Sequence, residues 1–229
     1  MTPHGVELIR LEDEEAVASV VAGELAAAAR AGLEIVLTGG TTPARAYELA
    51  AEREPDWSEA SVWWGDERCV PPDDELSNYR LARESLLDRL SAQPRSIRRI
   101  RGELEAEAAA EEYHQALRGS KLDLVLLGIG ADGHVASLFP GQPTLGERLR
   151  RAIPAEAKLD PFVERVTMTV PVLCSAPDVL FIVTGEAKAD AMERAFGRPP
   201  DLDTPASLIR SEGGRTRVVA DAAAAAHLD

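Results

Sequence analysis

The chain has 229 residues, and its hydrophobic content of 45% and charged content of 28% are ordinary for a soluble globular protein. A formal net charge of −14 argues against a nucleic-acid partner, because no basic field is available to displace counterions from phosphates. The two cysteines show neither disulfide nor metal-ligand spacing, and the sequence contains no recognisable signal peptide and no apolar run of membrane-spanning length. We therefore expect a cytoplasmic protein that holds no metal and does not enter a membrane.

Strand-like and helix-like patterns alternate along the chain, which predicts an α/β fold with a mostly parallel sheet flanked by helices. The predicted strands cover residues 6–11, 34–38, 61–65, 97–101, 122–127, 165–170, 179–184 and 215–220. The predicted helices cover residues 43–53, 78–90, 105–117 and 188–196, with one more after Asp13 and a terminal one after Asp221. Residues 129–164 are predicted to be irregular. Without a linker or an internal repeat, residues 1–229 are expected to form a single domain.

Two glycines and two threonines follow the second predicted strand. Gly39, Gly40, Thr41 and Thr42 precede a helix in which Thr42 suits the N-cap and Pro43 the first helical position. Glycines before a helix N-terminus expose backbone N–H groups, and the helix dipole favours an anion there. We expect a phosphate to bind at this point. An ordinary strand-to-helix turn is the alternative interpretation.

The third predicted strand runs into Asp66, Glu67 and Arg68. Alternation along a strand places Asp66 and Arg68 on one side and Glu67 on the other. Arginine offers a phosphate two hydrogen bonds, while the aspartate could orient a sugar hydroxyl or act as a base. A surface Asp–Arg pair is the alternative.

A glycine-rich loop follows the apolar run at residues 122–127 and carries Asp132 and His134. It lies at the carboxyl end of a strand, where open α/β sheets bind ligands. Histidine side chains titrate near neutrality, which suits proton transfer at cellular pH. Residues 128–133 also match the dinucleotide pattern G-x-G-x-x-G, in which a helix should begin at the third glycine. Here the chain after Gly133 instead runs into residues 139–141 (FPG). We therefore expect no nicotinamide or flavin cofactor.

Two further cations are candidate anion ligands. Lys188 is predicted in the first turn of a helix, where a bound phosphate would offset the unfavourable helix dipole. Arg165 begins a later strand and is a further candidate. Four strand ends thus supply a phosphate site, an Asp/Arg pair, an Asp/His pair and a lysine. This set predicts a pocket for a small phosphorylated polyol.

The order and spacing of these motifs resemble the 6-phosphogluconolactonase family over nearly the whole chain. The resemblance implies a Rossmann-like three-layer fold shared with sugar-phosphate isomerases and deaminases. Glucosamine-6-phosphate deaminases carry similar loops, but their Asp-Gly-His motif continues into a segment with a functional glutamate, which residues 137–140 (SLFP) lack. The matching segments are 38–43 (TGGTTP), 65–68 (GDER), 70–71 (VP), 77–79 (SNY), 127–134 (LGIGADGH), 136–140 (ASLFP), 165–169 (RVTMT) and 184–188 (TGEAK).

The resemblance implies hydrolysis of 6-phospho-D-glucono-1,5-lactone to 6-phospho-D-gluconate in the oxidative pentose phosphate pathway, without a cofactor. His134 would activate water, with Asp66 as a second catalytic residue, and we expect a monomer. Substrate and phosphate would be held by Gly39, Gly40, Thr41, Thr42, Arg68, Asp132, Arg165 and Lys188.

Two other functions remain open. In an isomerase or deaminase of the same fold, Asp66 would shuttle protons between adjacent carbons and His134 would assist ring opening. A non-catalytic sugar-phosphate sensor would keep the pocket without the chemistry, although it would not need both Asp66 and His134.

Overall fold

The computed structural model describes residues 5–158 and 161–228. Within them, strands β1–β10 cover Glu7–Leu11, Glu34–Leu37, Ser61–Trp64, Asp66–Arg68, Ser96–Arg98, Leu124–Leu127, Ala152–Ala155, Arg165–Met168, Asp178–Val183 and Arg215–Asp221. Helices α1–α6 cover Glu14–Arg30, Thr41–Arg53, Asn78–Ser85, Ala106–Ala116, Val170–Cys174 and Ala189–Met192. Short 3₁₀ turns cover Leu87–Arg89, Pro143–Gly146, Glu186–Lys188 and Pro205–Leu208, and a π-helical turn over Glu193–Gly197 extends α6.

Seven strands form one sheet in the order β1-β10-β9-β6-β2-β3-β5, and every neighbouring pair is parallel. Helices connect the strands, and α1 packs against α2 and against the sheet. Parallel strands need such crossover connections, so the helices cover the sheet that they connect. The predicted α/β fold with a mostly parallel, helix-flanked sheet is confirmed.

The central strand β6 consists of consecutive apolar residues. All four residues of β6 (LVLL) are buried, and β6 lies between β9 and β2. A strand covered on both faces needs apolar side chains at successive positions, which is the pattern seen at 122–127. Since β9, β6, β2 and β3 are neighbours, the four loops that leave their carboxyl ends lie side by side.

The chain leaves the large sheet at Gly65, which corrects the prediction that one strand runs through to Arg68. Strands β4, β8 and β7 form a separate antiparallel sheet in the order β4-β8-β7. The Gly65 N–H donates to the Leu37 carbonyl of β2 at 3.0 Å, whereas its own carbonyl accepts from the Met168 N–H at 2.8 Å. Gly65 therefore connects the two sheets. The prediction of an entirely irregular 129–164 region is also wrong, because β7 lies within it and pairs with β8.

The predicted terminal helix is absent, and residues 222–227 form turns. Asp221 still caps the first turn, since its carboxylate accepts from the Ala224 N–H at 2.7 Å, but it also accepts from the Gly185 N–H at 2.9 Å. The Arg10 guanidinium donates to the carbonyls of Ala225 and Leu228. A short segment gains little from helix propagation, so these tertiary hydrogen bonds decide its conformation.

Two other predicted elements are shorter in the structure. Helix α3 ends at Ser85 rather than Leu90, because Leu86 has φ −127° and ψ −69°, outside helical geometry, and the Ser85 hydroxyl donates to the Leu81 carbonyl. Strand β5 ends at Arg98 rather than Arg101, since it pairs with only three residues of β3. No helix in the described part of the chain is long and apolar enough to cross a membrane.

Candidate active site

A cavity of about 200 Å³ lies where the four central strand-end loops meet the small sheet. Seven predicted site residues line it together, whereas Thr41, Thr42 and Asp132 do not line it. The juxtaposition arises because loops at the carboxyl ends of neighbouring parallel strands share one edge of the sheet. The cavity is lined by Thr38, Gly39, Gly40, Asp66, Arg68, Asn78, Gly128, Ile129, Gly130, His134, Ala136, Arg165 and Lys188.

The loop after β2 begins helix α2 two residues earlier than predicted. Gly40, with φ +110°, is the N-cap, so Thr42 is not the cap and Pro43 is not the first helical residue. A glycine adopts this backbone conformation without the steric penalty that a side chain would bring. The Thr42 hydroxyl instead lies 2.9 Å from the hydroxyl of Thr184, linking the loops after β2 and β9. Thr41 is exposed at the first position of the helix.

Gly39 is required for a close approach to Asn78. A Cβ atom at position 39 would lie 1.9 Å from Asn78 Oδ1. Asn78 is 2% exposed, and its Nδ2 donates to the Asp66 carbonyl at 3.0 Å and to Asp66 Oδ1 at 3.3 Å. Asn78 therefore connects the loop after β2 to β4. The sequence analysis assigns Asn78 no role, although it lies in the segment 77–79 (SNY), one of those that match the family.

Asp66 is a buried carboxylate that faces the cavity. It is 5% exposed, and its Oδ2 accepts from the Ser137 hydroxyl at 2.5 Å. The Ser137 N–H in turn donates to Thr167 Oγ1 of β8 at 3.2 Å. These contacts hold Asp66 in one orientation, as is needed for a group that positions a substrate or transfers a proton.

Glu67 points away from the cavity, as alternation along the strand predicted, and it is buried with 2% exposure. Its carboxylate accepts four hydrogen bonds, from the backbone N–H groups of Arg68, Asn78 and Tyr79 and from the Ser77 hydroxyl, at 2.7–3.0 Å. Three of these donors belong to the start of α3 and its N-cap. Glu67 therefore anchors the helix that carries Asn78.

Arg68 and Arg165 lie opposite each other in the β4–β8 pair. Arg68 Nη1 donates to the Leu76 carbonyl at 2.6 Å, and Arg165 Nη2 donates to the Pro161 carbonyl at 3.3 Å. The Nε atoms of both residues are buried without a hydrogen-bond partner among the described residues. Burial and the charge of Arg68 lower the pKa of Arg165, against the opposing effect of Asp66 and Glu67. Two adjacent guanidinium groups that line one cavity have the charge and the donor geometry that suit an anion.

His134 is held by its neighbour Asp132. Asp132 Oδ1 lies 2.6 Å from His134 Nδ1 and also accepts a hydrogen bond from the His134 backbone N–H at 3.1 Å. The imidazole packs against Phe139, with 4.9 Å between the ring centroids. Burial alone would raise the pKa of Asp132, but its hydrogen bonds with His134 and the charge of His134 keep it below its usual value. The hydrogen bond assigns the ring proton to Nδ1, which leaves Nε2 free to act as a base.

The loop around His134 is tightly wound. A Cβ atom at Gly130 would lie 2.0 Å from His134 Nδ1, so any other residue there would displace the imidazole. Ala136, which also lines the cavity, has φ +50°, a conformation that non-glycine residues rarely adopt. Such strain is found at functional sites, where the surrounding contacts maintain it.

Lys188 reaches the same cavity from the turn after β9. It is partly buried, and within residues 5–158 and 161–228 it makes no ion pair or hydrogen bond through its ammonium group. Burial lowers the pKa of Lys188, and the negative charge of Asp132 opposes that effect. In the part of the chain that the structure describes, no three His, Cys, Asp or Glu side chains are grouped as metal ligands.

Comparison with known proteins shows which family the chain resembles. Residues 12–218 match the family described as glucosamine-6-phosphate isomerases/6-phosphogluconolactonase. The chain is 38% identical to the 6-phosphogluconolactonase of Homo sapiens, with 87% of this chain and 82% of that protein covered. It is 32% identical to the 6-phosphogluconolactonase of Streptomyces coelicolor, covering 97% of this chain and 94% of that one.

A solved structure shows the same fold. The crystal structure of 6-phosphogluconolactonase from Thermotoga maritima matches with a TM-score of 0.83 at 29% identity, covering 94% of this chain and 99% of that chain. The match of the family model to most of the chain and the identity to relatives of similar length confirm the resemblance seen in the sequence. The chain belongs to the family of glucosamine-6-phosphate isomerases and 6-phosphogluconolactonases.

Proposed function

We propose that this protein hydrolyses 6-phospho-D-glucono-1,5-lactone to 6-phospho-D-gluconate. The observation that carries the proposal is that His134, with Asp132 on its Nδ1, shares one cavity with Arg68, Arg165 and Lys188. A base beside unused cationic donors suits a neutral ester group on a phosphorylated sugar. The names of the relatives support this substrate over other phosphorylated esters.

In the proposed reaction, His134 Nε2 takes a proton from water while the water oxygen forms a bond to the lactone carbonyl carbon. The carbonyl becomes a tetrahedral oxyanion. When the carbonyl re-forms, the bond to the ring oxygen breaks, and the imidazolium returns the proton to that oxygen. Asp132 stabilises the transient imidazolium and maintains the ring orientation. Asp66 is assigned to orienting a sugar hydroxyl or assisting proton transfer.

The proposal is tested by generating the lactone from glucose 6-phosphate with its dehydrogenase and measuring 6-phosphogluconate formation with a second dehydrogenase. The expected result is a rate well above spontaneous hydrolysis, which is subtracted. A rate equal to the spontaneous one, together with tight binding of 6-phosphogluconate, would instead identify a sugar-phosphate sensor. Incubation with glucosamine 6-phosphate should release no ammonia, since release would favour the deaminase alternative.

We assign the phosphate to Arg68, Lys188 and the loop that contains Gly39, Gly40, Thr41 and Thr42, with Arg165 beside Arg68 as a further contact. Thr41 and Thr42 do not line the cavity, so this loop would contribute the backbone N–H groups of Gly39 and Gly40, which directly precede α2. The pathway, the cytoplasmic location and the monomeric state stay predictions.

Removal of one cation should weaken substrate capture. A charge-assisted hydrogen bond contributes about 1.5–3 kcal/mol, so Arg68→Ala and Lys188→Ala should each raise KM for the phosphorylated lactone by roughly tenfold to a hundredfold. They should also reduce its advantage over unphosphorylated gluconolactone. Arg45→Ala is the control, since Arg45 is exposed and pairs with Glu15 and Glu48. If both variants keep the wild-type preference, the phosphate lies elsewhere and Arg165 is tested next.

The lowered pKa of Lys188 predicts a pH dependence of product binding. An ammonium attracts phosphate only while it is protonated, so its contribution is complete below its pKa and is lost as the pH rises through it. Affinity for 6-phosphogluconate should therefore fall on the alkaline side sooner than an ordinary lysine would allow. Calorimetric titration between about pH 7 and about pH 10 measures this, with Lys188→Arg as the control because arginine keeps its charge. An identical pH profile in the two proteins would contradict the assignment.

A further inference from the structure

A second groove, lined by arginines, lies at the β5 end of the large sheet and shares no lining residue with the catalytic cavity. It runs between β5, the last strand of the sheet, and helix α4. One part, of about 520 Å³, includes the first residues of β2 and β3, which places it at the amino ends of those strands. An adjoining hollow of about 230 Å³ shares Arg98 and Ala116 with it. Five arginines line the two parts: Arg95, Arg98, Arg99, Arg101 and Arg118.

Three of these arginines are not neutralised. Arg99 and Arg101 pair with Glu103 at 2.7 Å and 3.3 Å. By contrast, no described carboxylate lies within ion-pair distance of the other three. Arg95 only contacts the Ser61 hydroxyl at 3.3 Å, and Arg118 only contacts the Gln115 amide oxygen at 3.2 Å. Two glutamates, Glu34 and Glu112, also line the groove, so its five arginines are in excess and form a local basic surface on a chain with a net charge of −14.

The groove also borders an unpaired strand edge. No described strand pairs with the outer edge of β5, so that edge presents backbone N–H and C=O groups. Ile97 in the middle of β5 is 36% exposed. Beneath the groove, Trp63 is 4% exposed, and its indole N–H has no hydrogen-bond partner in the described structure. The surface therefore combines backbone pairing capacity, an apolar side chain and positive charge.

We propose that this groove binds an extended acidic segment of another protein, which adds to the sheet as a strand beside β5. Side chains on a strand alternate between faces, so acids at alternate positions would meet Arg98 and its neighbours Arg95 and Arg118, while an apolar residue between them meets Ile97. The groove would therefore select a partner segment in which acidic and apolar residues alternate. A second copy of the chain fits poorly, because pairing β5 with β5 would bring arginines against arginines. A nucleic acid has no backbone that could pair with the strand edge.

The proposal is tested with a fluorescently labelled Glu-Val-Glu-Val-Glu peptide, whose anisotropy is followed on titration with the protein at low salt. Saturable binding is expected, and it should weaken as salt is added. The variant R95Q/R98Q/R118Q should lose at least about tenfold in affinity, as expected when charge-assisted hydrogen bonds are removed. The control variant R30Q/R45Q/R53Q removes the same charge from α1 and α2 and should bind like wild type.

Two further arms separate strand addition from simple attraction of charge. Two further peptides keep the same charges but are N-methylated, one at the odd-numbered amides and the other at the even-numbered amides. Only one of these sets of N–H groups can face β5, so strand addition requires that at least one of the two peptides loses binding. An oligonucleotide of equal charge should bind more weakly than the peptide. The proposal is overturned by absence of saturable binding, by equal losses in both triple variants, by full binding of both methylated peptides, or by dimerisation through the groove.

Discussion

His134→Ala is expected to slow enzymatic lactone hydrolysis by roughly 10²–10⁴-fold, the usual contribution of a general acid–base group. Affinity for 6-phosphogluconate should stay close to that of the wild type, because the cations that line the cavity are unchanged. The loss should thus be in kcat rather than in binding, as expected when an interaction made in the transition state is removed. The coupled assay with subtraction of spontaneous hydrolysis gives kcat, and calorimetry gives the dissociation constant of the product.

The chain offers a matched control for this experiment. His227 also pairs with an aspartate, Asp190, at 3.0 Å, but it is exposed and does not line the cavity. His227→Ala should keep normal turnover. Asp132→Asn should lower kcat as well, because an asparagine amide can turn its N–H toward Nδ1 and favour the tautomer with the proton on Nε2. Normal turnover of His134→Ala would show that another group activates water.

Glu67→Gln is expected to reduce both stability and turnover, although Glu67 does not line the cavity. Glutamine keeps one carbonyl oxygen but places an NH₂ group where Oε1 or Oε2 now accepts a backbone N–H. Leaving such a buried donor unsatisfied costs about 1–3 kcal/mol in the free energy of unfolding. Because α3 begins at this contact, Asn78 should shift relative to Asp66 and Gly39, with a fall in kcat of about tenfold to a hundredfold. Urea denaturation and the coupled assay measure the two effects.

Glu84→Gln is the control for this variant. It makes the same substitution on an exposed residue of α3, whose carboxylate pairs with Arg80 at 2.7 Å, and exposed ion pairs contribute little. It should leave the free energy of unfolding within about 0.5 kcal/mol of the wild type and leave turnover unchanged. A Glu67→Gln protein with reduced stability but normal kcat would show that the anchor is structural only.

Local patterns were sufficient to predict most strands and the edge of the sheet at which the site forms. The apolar run at 122–127 predicted a fully buried strand, and β6 has that burial. Glycines and polar residues after four strands marked the loops that meet at the cavity, because parallel strands place their carboxyl ends together. For this reason the sequence predicts Asp66, Arg68, His134 and Lys188 as one group, and these residues line one cavity.

Interactions between distant residues decided the rest. The α/β class, the central strands and the residue types at their ends depend on local apolar patterns and backbone propensity, so they could be predicted from the sequence. The connection of the two sheets by Gly65, the position of Arg68 opposite Arg165 and the anchoring of α3 by Glu67 depend on tertiary contacts. These features arise from cross-strand register and from hydrogen bonds to buried backbone groups. Such contacts join segments far apart in the chain, and local sequence patterns do not specify which segments meet.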